Sequence, residues 1–153
     1  MSMFSIVFQD PQRQERMGVL LALLAYDCDT AKEAEAWVEP IMNLRLRDMW
    51  IEKQPDGPPV LAVYTRNGGG NRECYCEGAG TCIGCHGEAA TEHPAYLRDT
   101  DDEFDVTYRT YWFGFSPNLP THLKEALTEA AEDPRDMSAM WHRAIDAITE
   151  EAR

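Results

Sequence analysis

The sequence predicts an α+β domain: a small antiparallel sheet of about three or four strands covered by helices, with a Cys-rich metal-binding loop set into it. Three observations point there. Apolar residues recur at helical spacing in two blocks, one at each end of the chain. The middle carries alternating and β-branched aromatic runs separated by turn residues. Between those runs lies the segment RNGGGNRECYCEGAGTCIGCHG, residues 66 to 87, whose glycines and cysteines suit neither a helix nor a strand.

Met3 to Phe8 is compatible with a short strand or with the approach to the first helix. From Gln12 to Tyr26 the pattern is helical, and its last turns are apolar all round, which predicts burial on every side. Thr30 and Glu33 have the spacing of a capping box: the hydroxyl takes a free amide and the carboxylate reaches back. The helix that follows places Ala34, Trp37, Val38 and Ile41 on one face, with Pro40 limiting its length. Residues 42 to 65 read as a hairpin. The apolar positions Met42, Leu44 and Leu46 give way to Met49 and Ile51, a one-residue slip that predicts a β-bulge near Arg47 or Asp48. Gln54-Pro55-Asp56-Gly57-Pro58 is the turn, and Val60 to Thr65 the returning strand.

A loop containing His93-Pro94 leads to an acidic stretch, and Val106 to Phe115 is expected to be a third strand, because the run is β-branched and aromatic. Ser116 to Pro120 breaks the chain ahead of two final helices. One carries Leu123, Ala126, Leu127 and Ala130; the other carries Met137, Met140, Trp141, Ala144, Ile145 and Ile148. Asp133-Pro134 between them has the form of an N-cap followed by proline at the first helical position. His122 and His142 fall on the solvent side of these helices.

A length of 153 residues suits one domain, 1–153. The formal net charge is -13. Such a chain repels phosphate backbones and anionic membrane surfaces, so direct nucleic-acid or membrane binding is not expected. A basic protein surface is a compatible partner, and self-association stays open. The apolar run Val19 to Tyr26 is too short to span a bilayer and lacks the flanks of a signal peptide. Asp27 before Cys28 argues against a lipoprotein signal. The expected compartment is the cytoplasm, where cysteines serve as metal ligands more often than as disulfides.

Cys74, Cys76, Cys82 and Cys85 form C-x-C-x5-C-x2-C within residues 73–90. Four thiolates in so short a stretch can wrap one tetrahedral zinc ion, with Gly78, Gly80, Gly84 and Gly87 permitting the turns. Cys82 to Gly87 has the C-x-x-C-x-G form of a zinc knuckle, and Cys76 to Gly80 resembles the Cys-rich modules of chaperones. The first pair is one residue short of C-x-x-C. His86 or His93 is an alternative ligand, and an iron–sulfur cluster or two disulfides are alternative fates for the thiols. Filled with four protein ligands, the zinc site is structural, not catalytic. Cys28 stands apart and is expected to be a buried thiol.

Arg66, Asn67, Gly68, Gly69, Gly70, Asn71 and Arg72 directly follow a strand. Successive glycines can aim their amides into one concavity that holds an anion, and flanking arginines add bidentate contacts. The loop lacks the Gly-Lys-Ser/Thr of a nucleotide-phosphate loop and the G-x-G-x-x-G of a dinucleotide fingerprint. Asp99, Asp101, Asp102, Glu103 and Asp105 crowd the approach to the third strand, and such carboxylates repel unless a cation compensates. With the third strand antiparallel to the second, Asp102 and Asp105 fall near Arg66 and Arg72. Tyr108 then completes a pocket.

The stretches RDMWIEKQPDGPPVLAVYTRNGGGNRE, HPAYLRDTDDEFDVTYRTYWFGF and DMSAMWHRAIDAI resemble a family of uncharacterised small proteins of bacteriophages and actinobacteria. Its members share a T-R-x-G-G-G-N-R loop and a D-D-x-F-D-x-T-Y step. The resemblance covers about residues 41 to 150 and implies a phage-type protein working in the host cytoplasm. It also implies that the four-cysteine segment is an insertion between two family motifs, so that zinc is peculiar to this chain and not central to the shared function.

Three functions fit these features. A binding protein would hold an anionic small molecule, such as a nucleotide signal, at the Gly-rich loop, with no turnover. An acidic protein would inhibit a host or phage nucleic-acid-binding protein by surface mimicry. A divalent-metal-dependent phosphoesterase would use Asp101, Asp102 and Asp105, although no further catalytic constellation stands out.

Overall fold

The computed structural model describes residues 11–44, 46–66, 90–99, 108–133 and 138–151. Among them the order is α1 (Pro11–Leu24), α2 (Ala31–Met42), β1 (Leu46–Glu52), β2 (Val60–Arg66), β3 (Tyr96–Asp99), β4 (Tyr108–Gly114), α3 (Thr121–Glu132) and α4 (Ser138–Glu151). The strands form one open antiparallel sheet in the order β1-β2-β4-β3, and the class is α+β. Residues 3–8, read as a short strand or the approach to the first helix, lie outside the described residues.

Residues 19–25, from the end of α1 into the following turn, are all buried, as their unbroken apolar character requires. The Thr30 hydroxyl accepts the Glu33 amide at 3.1 Å. The Glu33 carboxylate reaches back to the Asp29 amide at 3.0 Å, one residue earlier than an ideal capping box. Ala34, Val38 and Ile41 of α2 are buried. Pro40 does not end α2 but sits inside its last turn, and the helix continues to Met42. So near the end of the helix, the missing N–H removes one terminal hydrogen bond and disturbs nothing downstream.

Because Met42 is helical, the hairpin starts at Leu46 and not at residue 42. Its register shifts between Leu46 and Asp48, where the slip in apolar pattern predicts the bulge. Gly57 has φ +97 in the connecting turn, a conformation only glycine adopts without strain. β4 ends at Gly114, one residue before the expected end, and residues 96–99, expected to be loop, form the edge strand β3.

Met49, Ile51, Leu61, Val63, Tyr111 and Phe113 alternate onto one face of the sheet and belong to a single core with the apolar stripes of the helices. α3 packs on α4, α4 on α1, and α3 on β1. Within this core Leu123, Ala126, Leu127, Ala130, Met140, Ala144 and Ile148 are buried at the spacing the sequence displays. His122 and His142 are exposed. Asp133 ends α3 in an extended conformation, and the rest of the expected N-cap of the last helix lies outside the described residues.

Candidate functional site

At one end of the sheet, β1 and β4 begin where β2 and β3 leave. Leu46 pairs with Thr65, Thr65 with Arg109, and Arg66 with Tyr108. Asp99, at the end of β3, pairs with Tyr111. Neighbouring strands lie about 4.8 Å apart. Arg66, the first residue of the Gly-rich loop as read from the sequence, is the last residue of β2, and its direct partner across the β2–β4 ladder is Tyr108, three positions after Asp105. The expected antiparallel neighbourhood of the two strands is met, and of the predicted pocket residues Arg66 and Tyr108 are brought together through their backbones. Asn67, Gly68, Gly69, Gly70, Asn71, Arg72, Asp101, Asp102 and Asp105 lie outside the described residues, as do Cys74, Cys76, Cys82, Cys85 and His86.

The helix-covered face changes character at this same end. The rows through Ile51, Leu61 and Phe113, then Met49, Val63 and Tyr111, are apolar; in the next, Thr65 and Arg109 stand beside Leu46. Thr65 is fully buried, and its hydroxyl donates to the Arg109 carbonyl at 2.9 Å. Arg109 itself is only 8% exposed. A guanidinium so far out of water is tolerated only where it is partnered, and Arg109 is not left free. Sequence reasoning did not single it out, yet the signal is present. Within VTYRTYWF, positions 109, 111 and 113 share one face, so the arginine alternates with two core aromatics.

His93, considered as a zinc ligand, is buried at 5% exposure, and both ring nitrogens are occupied. Nδ1 accepts the Ala95 amide at 3.0 Å, which leaves Nε2–H to donate to the Trp37 carbonyl at 2.5 Å. The ring meets Trp37 and Phe113 edge to face. Burial holds its pKa below the usual histidine value, against the opposing pull of the Trp37 carbonyl. This neutral, fully bonded imidazole has no lone pair left for a metal, so His93 is a structural residue that ties the 90–95 segment to α2. Cys28 is half-buried, more open than expected. Its thiol pKa is pushed up by burial and then by Glu33, Asp27 and Asp29. No group of three or more His, Cys, Asp or Glu side chains suited to a metal occurs among the described residues. Nor is any helix among them long and apolar enough to cross a membrane.

On the opposite face, Glu52 gathers the sheet's polar contacts. It accepts the Trp50 indole N–H at 3.3 Å and the Trp112 indole N–H at 2.5 Å. Arg98 stacks over the Trp112 ring at 4.7 Å and approaches Glu52 at 3.8 Å.

Fold and site together define a small α+β domain with an open four-stranded sheet, one end of which is polar and gathers the strand termini. No family model, no curated protein and no solved structure matches the chain.

Proposed function

We propose that the chain is a phage-type cytoplasmic binding protein that holds an anionic small molecule, with a nucleotide signal as the leading class, at the polar end of the sheet. The observation that carries the reading is the register of β2 and β4, which pairs Arg66 with Tyr108. It sets Arg66, the first residue of the Gly-rich loop, across from the residue three positions after Asp105, and the buried Arg109 follows directly in β4. In this reading the amides of residues 68–70 cradle the anion, Arg66 and Arg72 grip it, and Asp102, Asp105 and Tyr108 orient its polar edge. A structural zinc on Cys74, Cys76, Cys82 and Cys85 orders the segment that follows the loop. Holding without turnover needs no acid, base or nucleophile.

Native mass spectrometry of freshly purified protein, set against its denatured mass, tests this directly. The expected excess is one zinc ion plus an anion of a few hundred daltons. Arg66→Ala and Arg72→Ala should lose the anion while stability changes by no more than about 0.5 kcal/mol. Zinc alone in the wild type would count against the pocket. A loss of several kcal/mol in both variants would make the arginines structural partners of the acidic step.

The net charge of -13 favours a second reading, inhibition of a nucleic-acid-binding protein by an acidic surface. Its mark is partner binding that weakens steeply with salt.

A further inference from the structure

A groove of about 970 Å³ runs between α2 and the segments 92–97 and 114–117. Its apolar lining includes Leu24, Trp37, Pro40, Leu97 and Phe115. Leu97, on the edge strand β3, is 55% exposed, the exposed large hydrophobic residue of the described structure. The charged side chains of the groove are all acidic: Asp27, Glu33 and Glu92 line it, and no described lysine or arginine does. The contacts of two of these carboxylates leave their charge intact, because the donors are neutral. Asp27 accepts the Ser116 hydroxyl and the Asn118 side-chain amide, and Glu33 accepts the Asp29 amide. The negative field is also felt by the Cys28 thiol, whose pKa it raises in addition to the effect of burial. The Trp37 indole N–H is buried with no acceptor among the described residues.

We propose that this groove docks a segment of a basic partner protein, which sets an apolar side chain between Trp37, Leu97 and Phe115 and a neighbouring Lys or Arg against Asp27, Glu33 and Glu92. Charge complementarity selects the occupant. An apolar floor inside an all-acidic rim, on a chain of net charge -13, repels anionic segments and attracts cationic ones. The occupant is an extended peptide. It can lie along β3, which has no strand on its outer side among the described residues. The site is separate from the anion pocket, since it is built by α2, the 92–97 segment and the chain beyond β4.

Fluorescence anisotropy with the full chain and two dye-labelled peptides tests the proposal, one peptide of Lys and Leu and a matched one with Glu in place of every Lys. The Lys peptide should bind and the Glu peptide should not. Raising NaCl from about 0.05 M to about 0.5 M should weaken binding about tenfold or more. Ala36→Arg sits at an exposed position of α2 on the groove wall, and Glu92→Lys reverses an exposed rim charge. Each should weaken binding at least about tenfold with an unchanged melting curve. Arg66→Ala should leave binding unchanged, which separates this groove from the anion pocket. No binding of the Lys peptide, equal binding of the Glu peptide, or an Ala36→Arg variant with wild-type affinity would each overturn the proposal. So would a dimer in sedimentation that Ala36→Arg abolishes, which would give the groove to a second copy. Binding that emerges only after removal of residues 1–10 would give it to that segment instead.

Discussion

On the helix-covered face of the sheet, Ile51, Leu61 and Phe113 form one cross-strand row and Met49, Val63 and Tyr111 the next, all six buried. On the other face the corresponding rows are Glu52, Val60 and Gly114, then Trp50, Ala62 and Trp112. The first face is stabilised by removal of apolar surface from water, a non-directional effect of about 1.5–3 kcal/mol for each large side chain. The second also holds Val60 and Ala62 buried, but beside two indoles organised by a single carboxylate that is itself about one-third exposed. One face therefore depends on volume and packing, the other on where an acceptor stands.

That contrast can be broken first where the effect is largest. Phe113→Ala should cost about 3–5 kcal/mol in chemical denaturation, because it opens a cavity between the sheet and the helices. A cost near 1 kcal/mol would mean that the packed face collapses easily. Glu52→Ala should cost about 1–3 kcal/mol, since it removes the acceptor of two indole N–H groups while leaving the packed face untouched. Glu52→Gln should restore part of this by keeping one oxygen acceptor. If Glu52→Ala proves neutral, water replaces the carboxylate and the second face is simply solvated.

His93 sharpens the comparison, because it is a polar group held at the packed core. Its folded pKa lies below the unfolded value of about 6.5, so the unfolded chain takes up protons first as pH falls. The stability that comes from keeping the ring neutral is complete above about pH 6.5 and declines as pH drops below it. Thermal melts between about pH 7.5 and pH 5 should show that decline, and His93→Gln should flatten the histidine part of it. A profile identical in wild type and variant would mean that the buried ring is not what titrates. The smallest effect on the sheet should come from the cysteine segment. Cys82→Ser with Cys85→Ser should release the proposed zinc, read by a colorimetric chelator, with the far-ultraviolet circular dichroism of the sheet and helices retained. Global unfolding on metal loss would show that zinc organises the core.

The elements most legible in the sequence are those whose cause is local. The apolar run ahead of Tyr26, the Thr30–Glu33 cap, the slip at residues 46–48 and the Gln54–Pro58 turn each depend on residues a few positions apart. β3 was not legible. Tyr96 to Asp99 is four residues long with an irregular register, so it has no alternation to read, and it becomes a strand only because β4 offers it a ladder. Pro40 misled for a related reason: a proline limits a helix only where its missing N–H matters, which depends on where the helix ends.

The site divides the same way. By itself the sequence determined which residue types are available: a Gly-rich loop between arginines, an acidic step, four clustered cysteines, and strands that alternate in polarity. Only the tertiary structure decided that β2 and β4 are neighbours, so that Arg66 faces Tyr108 and Thr65 meets Arg109 across 44 positions of chain. It also decided that His93 spends its ring on Trp37, 56 positions away. The physical reason is one of range. Caps, turns and side-chain periodicity are settled by backbone sterics within a turn or two. Strand order, and the fate of a buried polar group, are settled by which distant surfaces must leave water together.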